Sequence, residues 1–217
     1  KVVNSVDKMG FLEKLLQERV DADLTNNCSP FIIFAPLIND NNYKSLTKTV
    51  NKKGFEKKYK IHHLIEDRET FLTYAIGQEK IEAIIALSEN NNLVNQPNSQ
   101  EKTPLLLAIE NNNPRLVRIF LDSKANPFFT NSKRESPFLK ILEKHDIFEN
   151  EIKTILSIAT EELSKEQPND QALLYSFMNF VIGKNIIWLF DYIKENFTDI
   201  LKDTKIPKIK TYLNLAT

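Results

Sequence analysis

Glycine is scarce in this 217-residue chain, with only 4 residues, and the 9 prolines are scattered. That shortage leaves no flexible linker to divide the chain and no Gly-rich loop to cradle a phosphate. Cysteine occurs once, at Cys28, which excludes an internal disulfide framework and fits a reducing, intracellular compartment. Long apolar runs are missing. Phe31–Phe34 and Ile186–Phe190 fall far short of the ~20 residues that span a bilayer, so no transmembrane segment is expected. No basic-then-apolar leader opens the chain, so no secretory signal is read. Lys1 is not an initiator, which points to a fragment of a longer protein or a trimmed chain. An excess of one charge is missing too: 29 basic and 29 acidic side chains cancel, which argues against a dedicated nucleic-acid binder.

What is present is ordinary for a folded protein: 41% hydrophobic and 27% charged residues, enough to bury a sizeable core. The chain is rich in Lys, Ile and Asn, with Asn clusters at 90–92 and 111–113. Such a bias is associated with AT-rich genomes, among them those of some intracellular bacteria and protozoa.

Three stretches align at a period of 33 residues: Thr70–Ile76, Thr103–Ile109 and Ser136–Leu142. Each opens with a hydroxyl residue and places apolar residues at offsets two, five and six. A fixed period in this range marks a solenoid of stacked helical units. In the clearest unit Thr103 caps a helix with Pro104 at its first position, and Leu105, Leu107, Ala108 and Ile109 form its apolar face. Asn113 and Pro114 open a second helix, whose stripe is Leu116, Val117, Phe120 and Leu121. Ser123–Pro127 ends it in a turn.

Thr103-Pro-Leu-Leu-Leu-Ala108, Val117, Leu121 and Lys124-Ala-Asn126 together resemble an ankyrin repeat. Leu106 stands where that family usually has His, so the usual Thr–His hydrogen bond is expected to be absent. Lys124 replaces a glycine that adopts a left-handed conformation, at a cost of roughly 1 kcal/mol. In the preceding unit Asn91, which tolerates that conformation better, takes the place. The resemblance implies an all-α solenoid of about five stacked helix-turn-helix repeats with degenerate ends. Its clearest repeats are expected at 70–102, 103–135 and 136–168. Degenerate ones occupy 10–69 and 169–195, and 196–217 form a C-terminal cap or tail, all within a single domain over 1–217.

In the third repeat the helix carrying Ile152, Ile155 and Leu156 comes about two residues late, which implies a longer inner loop near His145–Asn150. Upstream, Ser29–Ala35 and Tyr43–Val50 read as a helix pair 41 residues before Thr70, with an insertion in the Lys-rich stretch 51–60. Downstream, Leu173–Val181 and Ile186–Ile193 form a last pair hinged at Gly183, in which Trp188 and Phe190 are read as buried.

Catalytic chemistry finds little support. Cys28 with His62, His63 or His145 lacks any nucleophile signature, and a packed thiol is the better reading. His62-His63 with Glu66 and Asp67 has no second ligand cluster to complete a metal site. The expectation is therefore a non-enzyme with no catalytic, metal or cofactor-binding residue. The six lysines between Lys48 and Lys60 read as a solvated insertion, or as a patch for an acidic partner or anionic lipid.

The resemblance implies protein binding through a concave face built from hairpin tips and helix edges. The tip positions are Glu66, Asp67 and Glu69, then Ser99, Gln100 and Lys102, then Ser132, Lys133 and Glu135. The helix edge adds Gly77 and Gln78, Glu110 and Asn111, and Glu143 and Lys144. The row is polar and holds no aromatic anchor, so charge complementarity is the expected mode. Phe128 and Phe129, in the nearby loop, are either an aromatic contact or packing under the next hairpin. Functionally the chain reads as a non-catalytic interaction module, by analogy a bacterial effector delivered to a host cytosol or its host-protein-binding domain. A substrate-recruiting segment of a larger enzyme is the alternative.

Overall fold

The computed structural model describes residues 38, 47, 69–163, 181, 183, 184 and 186–196. The chain divides into two units, 1–156 and 157–217. Cys28, His62, His63, Glu66, Asp67, the stretch Lys48–Lys60 and the tail 197–217 lie outside the described residues, and so does most of the stretch 10–69, its helix pair included.

Among the described residues the elements are helices, joined by turns, with no strand. In order they are α1 (Phe71–Gly77), α2 (Ile81–Ser88), α3 (Asn91–Val94), α4 (Pro104–Glu110), α5 (Pro114–Asp122), α6 (Pro137–Glu143), α7 (Glu149–Leu163) and α8 (Ile187–Asn196). α1 packs on α2, and α4 on α5, to make the helix pairs. α1 also packs on α4, α4 on α6, and α2 on α5, so like helices stack on like.

Each first helix starts where its cap is. Thr103 Oγ1 accepts from the Leu106 N–H at 3.3 Å, and Ser136 Oγ from the Leu139 N–H at 3.2 Å. Proline fills the first turn of α4, α5 and α6, where its missing N–H costs nothing. Asn113 caps α5 through its Oδ1, 3.1 Å from the Leu116 N–H. At the position of the missing family His, Leu106 is buried. The first pair differs there. Thr73 and Thr70 form a capping box, with the Thr70 N–H 2.8 Å from Thr73 Oγ1 and the Thr73 N–H 3.1 Å from Thr70 Oγ1.

The core runs through the stack. Leu72, Ala75 and Ile76 of α1, Leu105, Ala108 and Ile109 of α4, and Phe138, Ile141 and Leu142 of α6 are all buried. They are the residues at offsets two, five and six of the 33-residue period. From the second helices Ile84, Leu87, Leu116, Val117, Phe120, Ile152 and Ile155 close the other side. The loop between α6 and α7 holds residues 144–148, against 111–113 between α4 and α5, which is the two-residue delay. In the second unit α8 buries Leu189 and Ile193 and leaves Trp188 and Phe190 half-buried. Gly183 is itself helical rather than a break.

Three helices end alike. Past α1, α4 and α5, Glu79 (φ 54°), Asn112 (φ 53°) and Lys124 (φ 62°) turn left-handed. Paired backbone bonds close each turn, as in Lys124 N–H to Leu121 O at 3.0 Å and Ala125 N–H to Phe120 O at 2.9 Å. Asn91 departs from expectation: instead of turning left-handed it opens α3. The cause is Asn90, whose Oδ1 accepts the Asn92 N–H at 3.0 Å and starts an extra helical turn.

Lys124→Gly is expected to raise stability by about 0.5–1 kcal/mol, because glycine enters the left-handed region without Cβ strain. Chemical denaturation of both proteins under one condition checks this.

Candidate functional site

Two hairpin tips are built by two asparagines 33 residues apart, both buried: Asn98 and Asn131. Asn98 Oδ1 accepts the N–H groups of Gln100 and Lys102, each at 3.0 Å. Asn131 Oδ1 does the same for Lys133 at 3.0 Å and Glu135 at 2.8 Å. Backbone bonds complete each loop, Asn98 N–H to Lys102 O at 2.9 Å and Asn131 N–H to Glu135 O at 3.1 Å. Closing so tightly drives Glu101 (φ 60°) and Arg134 (φ 61°) left-handed. Sequence reasoning passed over these asparagines. Their signal is the Asn-Ser pair at 98–99 and again at 131–132.

Neighbouring tips are clipped together. Asn98 Nδ2 donates to Glu69 Oε2 at 3.2 Å, and Glu101 Oε2 accepts the Ser132 N–H at 2.7 Å. The Ser132 hydroxyl and then its backbone N–H hold the Glu101 carboxyl below its ordinary value of 4.5. Asn131 Nδ2 donates to Glu135 at 2.9 Å and lowers that carboxyl, assisted by the fields of Lys133, Lys102 and Lys140. A second clip joins the outer loops, where Asn95 Oδ1 accepts the Asn126 N–H at 2.7 Å and Asn95 Nδ2 donates to Lys124 O at 3.3 Å.

Gln78, Asn111 and Lys144 each follow the last residue of a first helix and cap it. Lys144 reaches back across the stack. Its Nζ donates to Ile109 O at 2.9 Å, Glu110 O at 3.0 Å and Asn112 Oδ1 at 2.6 Å, so a cation closes the C-terminal end of α4. Lys102 Nζ meets Glu110 Oε2 at 2.8 Å, with both side chains three-quarters covered. Lys140 Nζ meets Glu143 Oε2 at 2.9 Å, and that carboxylate holds the Lys140 ammonium above its ordinary value.

The residues expected to bind a partner thus fall into two sets. Glu69, Lys102, Glu110, Glu135, Glu143 and Lys144 are bonded within the protein, and the Ser132 N–H is likewise held. Gln78, Ser99, Gln100, Asn111 and Lys133 are exposed and make no side-chain bond among the described residues. Phe128 stacks edge-to-face on the buried ring of Phe138, with centroids 5.4 Å apart, which is the packing alternative.

No group of three or more His, Cys, Asp or Glu side chains is placed to hold a metal ion among the described residues. His145 Nδ1 lies 3.0 Å from Asp146 Oδ1, too poorly aligned for a hydrogen bond. No described helix is long and apolar enough to cross a membrane.

Stacked pairs, proline-led first helices and Asn-pinned tips recurring at 33 residues define one repeat architecture. Residues 32–131 match the family model described as ankyrin repeats (3 copies). Over that span, just under half of its length, the chain is similar to ankyrin repeats. The matched span takes in α1 to α5, and α6 stacks on α4 directly after it. No curated protein and no solved structure matches the chain. Ankyrin repeats are in general protein–protein interaction modules, and such domains are typically non-catalytic.

Lys144→Met is expected to lower stability by about 1–2 kcal/mol, since it strips a half-buried charged donor from two carbonyls and Asn112. Denaturant unfolding measures that loss. The lowered Glu101 and Glu135 carboxyls contribute stability above their ordinary value of 4.5, and that contribution disappears as pH falls through the lowered values. The melting temperature should therefore drop on acidification below pH 4.5, and Glu101→Gln should drop less steeply than the wild type.

Proposed function

We propose that these ankyrin repeats form a non-catalytic protein-binding module whose concave face engages another protein. One observation carries the reading: an exposed polar row stands on a pinned frame. The frame is the pair of asparagine-closed tips, joined through Glu101 and Ser132. The row is Gln78, Ser99, Gln100, Asn111 and Lys133, whose side chains are left unbonded among the described residues. Preorganised loops lose little conformational freedom on binding, so affinity is gained without aromatic anchors. Glu110 and Lys144 serve the stack itself, and their part in the face is to shape it rather than to reach outward. Read as the host-binding domain of a bacterial effector, the module would meet its partner in host-cell lysate, which sets the medium for the test.

The test is quantitative capture from that lysate by wild type and by a variant carrying Gln78→Ala, Gln100→Ala, Asn111→Ala and Lys133→Ala. Both must melt at the same temperature. A protein whose capture falls by about tenfold or more in the variant supports the concave face. Equal capture moves the interface to the Lys48–Lys60 stretch or the C-terminal helices. No specific capture removes the binding reading.

A further inference from the structure

We infer that the partner lays a basic side chain, arginine or lysine, across the open edge of α1 at Gly77 and sets its charge on the Glu69 carboxylate. The inference rests on the protein-binding reading above and names the chemistry of its partner at one end of the face.

The second repeat shows what this place ordinarily holds. There the residue that closes the tip, Lys102, meets the edge residue of α4, Glu110, at 2.8 Å. In the first repeat the same two places, 33 residues earlier, hold Glu69 and Gly77. The tip charge has changed sign and the edge has no side chain, so the pair is not made within that repeat. Glu69 is half-buried, and among the described residues its carboxylate meets a neutral amide, Asn98 Nδ2 at 3.2 Å, and no cation. A carboxylate has about four acceptor sites, so most of its capacity is left for a donor from outside. Lys133, an exposed cation of the same face, belongs to the Asn131 tip and leaves Glu69 unmatched.

The fold does not account for a glycine at 77. Gly77 is the last residue of α1, and the left-handed turn comes two residues later, at Glu79 (φ 54°). A Cβ at Gly77 would meet no atom within 4 Å, so packing does not demand its absence either. Glycine weakens a helix, and this chain holds only 4. What a bare, exposed position does allow is close approach of another molecule to the backbone. Tyr74 stands one turn earlier on the same side of α1 and is half-buried. Its ring offers a flank to the alkyl stem and the charge of a basic side chain on its way to Glu69.

Selection of a displayed random-peptide library on the full chain tests this. The expected result is enrichment of Arg and Lys, with affinity weakening about threefold or more from low to high salt. Glu69→Gln keeps an oxygen for Asn98 but removes the charge, and affinity should fall by about tenfold or more. Gly77→Lys puts a cation of the chain's own beside Glu69. Affinity should fall as far, while the variant melts no lower than the wild type because a helical glycine has been replaced. Selected peptides without a basic residue, or basic peptides unmoved by both substitutions, would overturn the inference and leave protein binding standing. If the folded chain selects no peptide, the inference also falls, and the lysate capture above decides the binding reading by itself.

Discussion

Neither helix of a pair can bury its apolar stripe against its own partner alone, and this constraint governs the rest of the molecule. Leu72, Leu105 and Phe138 are buried because like helices stack, α1 on α4 and α4 on α6. Full burial of one such side chain is worth about 1.5–3 kcal/mol, and no helix of seven residues is stable in water without it. Stability is then shared between neighbours, so a repeat drawn out of the stack would lose its helices as well as its contacts.

Stacking short helices at a fixed spacing creates a second problem, the many helix ends that each pair exposes. Hydroxyl and asparagine caps satisfy the first turns, and left-handed residues satisfy the last. At Glu79, Asn112 and Lys124 the chain adopts a glycine conformation without glycine. The shortage of glycine is thus a strain distributed along the repeats. Lys144 handles one of these ends differently, by sending its ammonium from one repeat to the carbonyls of the one before it. The same bond joins the units and occupies a residue that would otherwise face outward.

That dual use extends over the candidate face. The Glu101 carboxylate accepts from the neighbouring tip, while Lys102 with Glu110 and Lys140 with Glu143 pair locally, eight and three residues apart, so the loops are held from both sides. The face that emerges is firm and polar, with Lys133 and the amides of Gln78, Gln100 and Asn111 unbonded among the described residues. Its likeness to ankyrin repeats over residues 32–131 takes in the first tip and the asparagine that opens the second.

Much of the frame was legible in the residues because it depends on local chemistry. Thr103 and Pro104 start a helix wherever they stand, the apolar offsets name the buried side, and the lateness of Ile152 announces a longer loop. Lys124 could be assigned its left-handed turn from the glycine that the ankyrin resemblance puts at its position. Tertiary structure alone decided which polar side chains are spent. Lys144 and Asn112 are 32 residues apart and Glu101 and Ser132 are 31 apart, so their bonds exist only once the repeats are stacked. It also decided against Asn91, because capping by Asn90 outweighed a conformational tolerance that Asn91 did possess. Periodicity says which residues point towards the core. Only the packed neighbours determine which of the others remain free to meet a partner.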